Sequence, residues 1–253
     1  MARIIAIANQ KGGVAKTTTA VNLCAWLALM EKKVLLVDLD PQGNATSGLG
    51  IDKEAPETTI YNVLVDEIPA KEVIVATPVA NLDLIPARME LAGAEIELVA
   101  REYREFQLRK SLPEAAEAYD FVFIDCPPSL GLLTLNALAA AKSVLIPIQC
   151  EYYALEGLSQ LINTLNLVKE NINPELFIEG VLLTMFDGRI NLSIQVVEEV
   201  KKYFREKVYG AIIPRNVRLS EAPSHGKPVM IYDKRSRGAQ AYHDLAKEVM
   251  GID

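Results

Sequence analysis

At 253 residues, half of them hydrophobic and 23% charged, the chain has the composition of a globular protein and is long enough for a sizeable core; a disordered or fibrous chain is excluded. The formal net charge of −7 argues against a nucleic-acid partner when taken globally. Residues 185–237, however, carry 11 Lys/Arg against 6 Asp/Glu, an acidic body with a basic segment of the kind that meets a polyanion.

The N-terminus enters a strand directly, without a charged leader, and no apolar run approaches the roughly 18 residues of a membrane span. Cys24, Cys126 and Cys150 are far apart and form no C-x-x-C pair, which argues against a disulfide framework or a zinc site; they read as reduced core thiols of a cytoplasmic protein.

Residues 4–8 (IIAIA) predict a buried strand and residues 19–30 a helix. Between them lies Asn9-Gln10-Lys11-Gly12-Gly13-Val14-Ala15-Lys16-Thr17-Thr18. Strand, glycine-containing loop, then a helix opening on Lys-Thr is the context of a phosphate-binding loop, although Gln10 and Ala15 stand where G-x-x-x-x-G-K-[ST] has its glycines. The residue types suit the chemistry. Free N–H groups at a helix N-terminus favour an anion, Lys16 adds a point charge and Thr17 offers a hydroxyl to Mg²⁺.

Residues 33–39 (KVLLVDL) predict a second strand, ending in Asp38-Leu39-Asp40-Pro41-Gln42-Gly43-Asn44. Residues 45–56, broken by Gly48, Gly50 and Pro56, predict a loop. A short helix is expected over 58–65, a strand over 82–86, and mostly helix over 90–118, with Pro113 marking a break or a new start. Strand 121–125 (FVFID) leads into Cys126-Pro127-Pro128-Ser129. Helices over 132–141, 155–169, 191–205 and 238–250 then alternate with strands over 143–148, 177–184 and 208–213. The alternation predicts an α/β fold, a doubly wound, mostly parallel sheet flanked by helices, as one domain over 1–253 with ligands at the carboxyl ends of the strands.

An Asp that ends an apolar strand, as Asp125 does, is by itself as readily a turn cap as a ligand. Roughly 110 residues after a phosphate loop it is where a P-loop NTPase keeps the carboxylate that organises Mg²⁺. Asp38 and Asp40 face the same crevice in the predicted sheet.

Four separated stretches, Lys11 to Thr18, Asp38 to Asn44, Asp125 to Ser129 and Pro214-Arg-Asn-Val-Arg-Leu-Ser-Glu-Ala-Pro-Ser224, together resemble the ParA/Soj partition ATPases. These belong to the deviant Walker-A group of P-loop NTPases, which also contains MinD. The resemblance implies an ATP hydrolase with ATP and Mg²⁺ as cofactors. Lys11 is similar to the signature lysine that reaches the partner's phosphates in an ATP-sandwich homodimer, and Glu151 to an acid that contacts it. Lys16 is similar to the lysine on the β- and γ-phosphates, and Asp40 to the catalytic aspartate. Gly12, Gly13, Val14, Ala15, Thr17 and Thr18 would surround the phosphates, with Met185, Pro214 and Arg215 as walls for the base. Thr17, Asp38, Asp40 and Asp125 would serve the metal.

The family resemblance points to Arg189 and Arg218 for sequence-independent binding of double-stranded DNA. Lys227 and Arg237, and secondarily Lys201, Lys202, Lys234 and Arg235, are added because they fall in the basic segment. It also implies a ParB-like partner, nucleoid association, no stable membrane attachment and no N-terminal helix-turn-helix domain. Ala15 stands where the family most often has glycine; its Cβ is expected to weaken sandwich closure or turnover while leaving ATP binding. A MinD-like membrane-recruited ATPase, an iron-protein relative using Cys126 or Cys150, and a nonenzymatic nucleotide-binding scaffold are the alternative readings.

Overall fold

The computed structural model describes residues 2–151 and 154–252, with the side chains of 154–159 set aside. Among the described residues eight strands form one sheet: β1 (Arg3–Ile7), β2 (Val34–Asp38), β3 (Val75–Ala76), β4 (Leu82–Ile85), β5 (Phe121–Asp125), β6 (Ser143–Gln149), β7 (Phe177–Phe186) and β8 (Val208–Pro214). Their spatial order is β3-β4-β2-β5-β1-β6-β7-β8; the β3–β4 pair is antiparallel and the others are parallel.

The helices are α1 (Lys16–Leu29), α2 (Asn44–Gly48), α3 (Ile60–Leu64), α4 (Leu91–Glu97), α5 (Gln107–Ala116), α6 (Leu132–Ala140), α7 (Ala154–Asn171), α8 (Asn191–Phe204), α9 (Val217–Glu221), α10 (Val229–Tyr232) and α11 (Arg237–Met250). Strands apolar on both faces need cover on both. In β1, Ile5 and Ile7 point into a core shared with α1 and α11, whereas Ala6 enters a second core shared with α5, α6 and α8. This is the doubly wound arrangement that the alternation predicts.

α1 is held from several sides. Leu23 and Leu27 are fully buried, the Trp26 indole donates to the Ala239 carbonyl at 3.0 Å, and the Thr19 and Tyr242 hydroxyls lie 3.1 Å apart. Truncating Leu27 to Ala in such packing costs about 2–5 kcal/mol. The phosphate loop therefore rests on a helix anchored in the core.

Three expectations are corrected. Residues 45–48, expected to begin a loop, belong to α2, because Asp38 accepts hydrogen bonds from both the backbone N–H (2.8 Å) and the hydroxyl (2.7 Å) of Thr46; a tertiary contact fixes a turn that local propensity disfavours. Pro113 lies inside α5 on its exposed side. The interruption of 90–118 comes instead before α5, at Tyr103, whose φ is 53°. Finally, the edge strand β3 and the short helices α9 and α10 have no counterpart in the expected elements.

The turn after α2 packs directly on the loop before α10. Gly50 and Gly226 both have positive φ, 82° and 60°, and a methyl group on Gly50 would come within 2.8 Å of the Gly226 carbonyl oxygen. Only glycine fits this backbone contact.

Candidate active site

The loop between β1 and α1 is pinned at both ends. Asn9 accepts the Lys11 N–H at 3.0 Å and donates its amide to the Pro147 carbonyl at 2.7 Å. At the other end the Thr184 hydroxyl donates to the Val14 carbonyl at 3.1 Å. Gly13 (φ 74°) and Ala15 (φ 68°) both take left-handed backbone, which glycine adopts freely and alanine only under strain. α1 has no side-chain cap and no acidic residue in its first turn, so its leading N–H groups remain open to an anion. Lys16 is buried, and its ammonium donates to the Lys11 carbonyl at 3.1 Å. Burial lowers its pKa, opposed chiefly by the charge of Asp125 and, more weakly, that of Asp40.

β2 and β5 set Asp38 and Asp125 side by side in register at their carboxyl ends. Neither oxygen of the fully buried Asp125 has a hydrogen-bond partner among the described residues. Burial, then the Asp38 charge, pushes its carboxyl well above the usual carboxylate range, while the nearby Thr17 hydroxyl, short of a hydrogen bond, and the Lys16 ammonium favour the charged form. Such a carboxylate is costly unless a cation or its water meets it. Thr17 and Asp125 together therefore fit a Mg²⁺ that takes its other ligands from phosphates and water.

Asp38 also has a local role. One of its oxygens accepts the Asp40 N–H at 3.2 Å and the other accepts from Thr46, so it braces α2 and the Asp40 turn beside Asp125. Burial raises it to about 6. Among the described residues no group of three or more His, Cys, Asp or Glu is arranged to hold a metal alone.

Two cavities open at these strand ends. One of about 330 Å³ is lined by Gly12, Gly13, Lys16, Thr17 and Asp40 among others. A second of about 440 Å³ runs between Met185, Pro214, Arg215, Leu219 and Tyr242. Ala15, Thr18 and Met185 line both, so the two form one crevice with a cationic, N–H-rich end and a more apolar end. Val14, expected beside the phosphates, has a buried side chain and lines neither cavity.

Sequence reasoning missed Asn216, Leu219, Ser220 and Tyr242 at the apolar end, and Gln42, Asn44 and Pro128 at the other. All but Tyr242 lie within the stretches that carry the family resemblance, and Asn216 has a local signal besides: as the N-cap of α9 it accepts the Arg218 N–H at 3.0 Å.

Lys11 stands on the rim, its ammonium 3.9 Å from Glu151. Glu151 also lies 3.4 Å from Arg215 and accepts the Gln149 amide at 2.6 Å. All three cysteines are buried; burial pushes the Cys150 thiol up to about 11, as in an inert core thiol.

The basic segment does not present free charge throughout. Arg189 is ion-paired with Asp187 at 2.6 Å, and Arg218 with Glu221 at 2.8 Å and Asp233 at 3.3 Å. Lys202 lies 3.4 Å from Glu199, and Lys234 stands 6.0 Å over the Trp26 ring. Lys227 lines a third cavity of about 260 Å³ with Thr17, Thr18 and Ser47, beside the phosphate loop. Lys201, Arg235 and Arg237 are exposed.

Residues 2–178 match a family model described as an AAA domain. The chain is 66% identical over 249 residues to the sporulation initiation inhibitor protein Soj of Bacillus subtilis (strain 168), covering 98% of each. It is 59% identical over 251 residues to the chromosome partitioning protein ParA of Myxococcus xanthus (strain DK1622), covering 99% of this chain and 89% of that protein. A similar solved structure is cobyrinic acid a,c-diamide synthase from Mycobacterium smegmatis with bound ADP and magnesium. It has a TM-score of 0.86 and 39% identity, and the match covers 99% of this chain and 94% of that one.

Proposed function

The chain belongs to the Soj/ParA family of chromosome-partitioning ATPases, and on that premise we propose how its crevice and its basic segment act together. It is an ATP hydrolase. The N–H groups of the loop and of the first turn of α1 receive the triphosphate, with Lys16 on the β- and γ-phosphates and Thr18 near the α-phosphate. The Thr17 hydroxyl, with Asp125 behind it, would hold a Mg²⁺, which would supply charge compensation. Asp40, on the wall of the same cavity, orients the attacking water, while Asp38 fixes the turn that carries it. The base lies between Met185, Pro214 and Arg215.

Lys11 exchanges Glu151 for the phosphates of a second copy, which makes ATP the joint of a homodimer. In that state Arg189, Arg218, Lys227 and Arg237 meet DNA phosphates without reading bases, giving binding that weakens as salt rises. A ParB-like partner speeds hydrolysis and so times release, and the DNA-bound form is nucleoid-associated.

The observation that carries this reading is the crevice whose two ends share Ala15, Thr18 and Met185, as one nucleotide with a polyanionic and a flat apolar end requires. The identity to Soj, 66%, exceeds the 39% to the amide synthase, which favours partition over amide synthesis. Membrane recruitment is less supported. The apolar residues Tyr242, Leu245 and Val249 of α11 are buried in the core, and no helix among the described residues is long and apolar enough to cross a membrane.

Co-sedimentation with nonspecific duplex DNA and with liposomes, each with and without ATP, tests the switch. ATP-dependent pelleting with DNA that disappears in Lys16→Ala is expected. DNA binding indifferent to ATP and to that substitution would undo the reading.

A further inference from the structure

We propose that Asp187 is a built-in phosphate surrogate: it occupies the guanidinium of Arg189 and has to be displaced before that arginine can grip DNA. The inference rests on the reading above that Arg189 meets DNA phosphates. One Asp187 oxygen accepts the Arg189 Nε–H at 2.8 Å and its backbone N–H at 3.1 Å, and the other accepts Nη2 at 2.6 Å. A carboxylate here presents the same pair of oxygens that a phosphate diester offers, and arginine binds both in the same two-pronged way. The Arg189 side chain is 89% exposed and that of Asp187 only 15%. A sheltered acid thus holds a cation that otherwise projects into solvent. The contact also holds the Asp187 carboxyl down at about 2, so the acid is charged whenever DNA is near.

Of the acids around Arg218, Glu221 also accepts the Tyr232 hydroxyl at 3.2 Å, and Asp233, like Asp187, accepts the N–H two residues on, here that of Arg235 at 3.2 Å. The side-chain hydrogen bonds of Asp187 all run to Arg189. Its position ties the clamp to the crevice. Met185, two residues earlier, lines both cavities with φ at 52°, and Phe186 accepts the Arg215 N–H at 3.0 Å. A base bound between Met185 and Arg215 bears on the strand end that carries the surrogate.

Asp187→Asn tests this without dismantling the turn, since asparagine can still accept the Arg189 backbone N–H. The control is Glu198→Gln, which changes charge equally at an exposed acid on α8 that has no ion pair among the described residues. Affinity for nonspecific duplex DNA is measured with ATP across a salt series, with melting curves to verify folding. Asp187→Asn is expected to bind about two- to fivefold more tightly than wild type at fixed salt, the range of an exposed ion pair removed. Its salt dependence should steepen by about one phosphate contact, and Asp187→Asn/Arg189→Ala should bind like Arg189→Ala. A gain no larger than that of Glu198→Gln, or one that persists without Arg189, overturns the surrogate. If Arg189→Ala alone leaves DNA binding unchanged, the DNA role of Arg189 falls first and the surrogate with it.

Discussion

At the end of β5, Asp125 is sealed from water with neither oxygen bonded, whereas just past the end of β7, Asp187 has both oxygens bound to Arg189. Both are acids at the carboxyl edge of one sheet, yet they report opposite things. A buried carboxylate without a hydrogen bond raises the free energy of the folded chain until a ligand arrives. An exposed pair contributes little and is easily exchanged for another. The crevice is thus built to require its cation, and the basic segment to trade one anion for another.

Four substitutions can break or sharpen that contrast. The largest effect is expected from Asp40→Ala, which leaves ATP binding nearly intact but lowers phosphate release on the order of 10²-fold, the scale of losing one positioned group. Turnover close to wild type would remove Asp40 from the chemistry.

Asp125→Asn comes next and has two signs. Without nucleotide it is expected to raise stability by about 1–3 kcal/mol, as an unpaired buried charge is relieved, while Mg²⁺-dependent ATP affinity falls roughly 10- to 100-fold. The pH dependence follows the same logic. Asp38 is raised to about 6 and Asp125 is raised well above the usual carboxylate range, so both bind protons more readily folded than unfolded. Lowering the pH from 7.5 towards 5 therefore stabilises the nucleotide-free chain, and the gain stops near the unfolded carboxylate range of about 4. Melting curves at both pH values should show a rise for wild type and a smaller one for Asp125→Asn.

On the basic side, Arg189→Ala is expected to weaken DNA binding by up to about tenfold, with melting temperature essentially unchanged because the pair is at the surface. A loss of stability would mean that the Asp187 pair holds the fold. The smallest effect is at Ala15. Glycine relieves the left-handed strain but frees the unfolded chain, for a net gain of about 0.5–1 kcal/mol in melting experiments. Its influence on ATP-dependent dimerisation and turnover is read beside it, and unchanged values would limit the role of Ala15 to stability.

The strands were legible because a sheet covered on both faces writes unbroken apolar runs such as FVFID and KVLLVDL, and the phosphate loop because its chemistry is local. The apolar end of the crevice was only partly legible. Leu219 and Tyr242 reach it from separate elements, and an apolar side chain lining a cavity looks in sequence like one filling a core. α2 escaped because Thr46 is held by Asp38 from another element. The charge count over 185–237 overstated free positive charge for a simpler reason. The partner of Arg189 stands only two positions away, and opposite charges that close in sequence signal pairing before they signal a patch.

The contact between Gly50 and Gly226 has its own consequence. With no side chain between the two backbones, there is nothing compressible to absorb a displacement of one loop toward the other. The turn after α2 and the loop carrying Lys227 therefore form a single mechanical joint. Amide hydrogens on both sides of it are expected to exchange together, as one opening event.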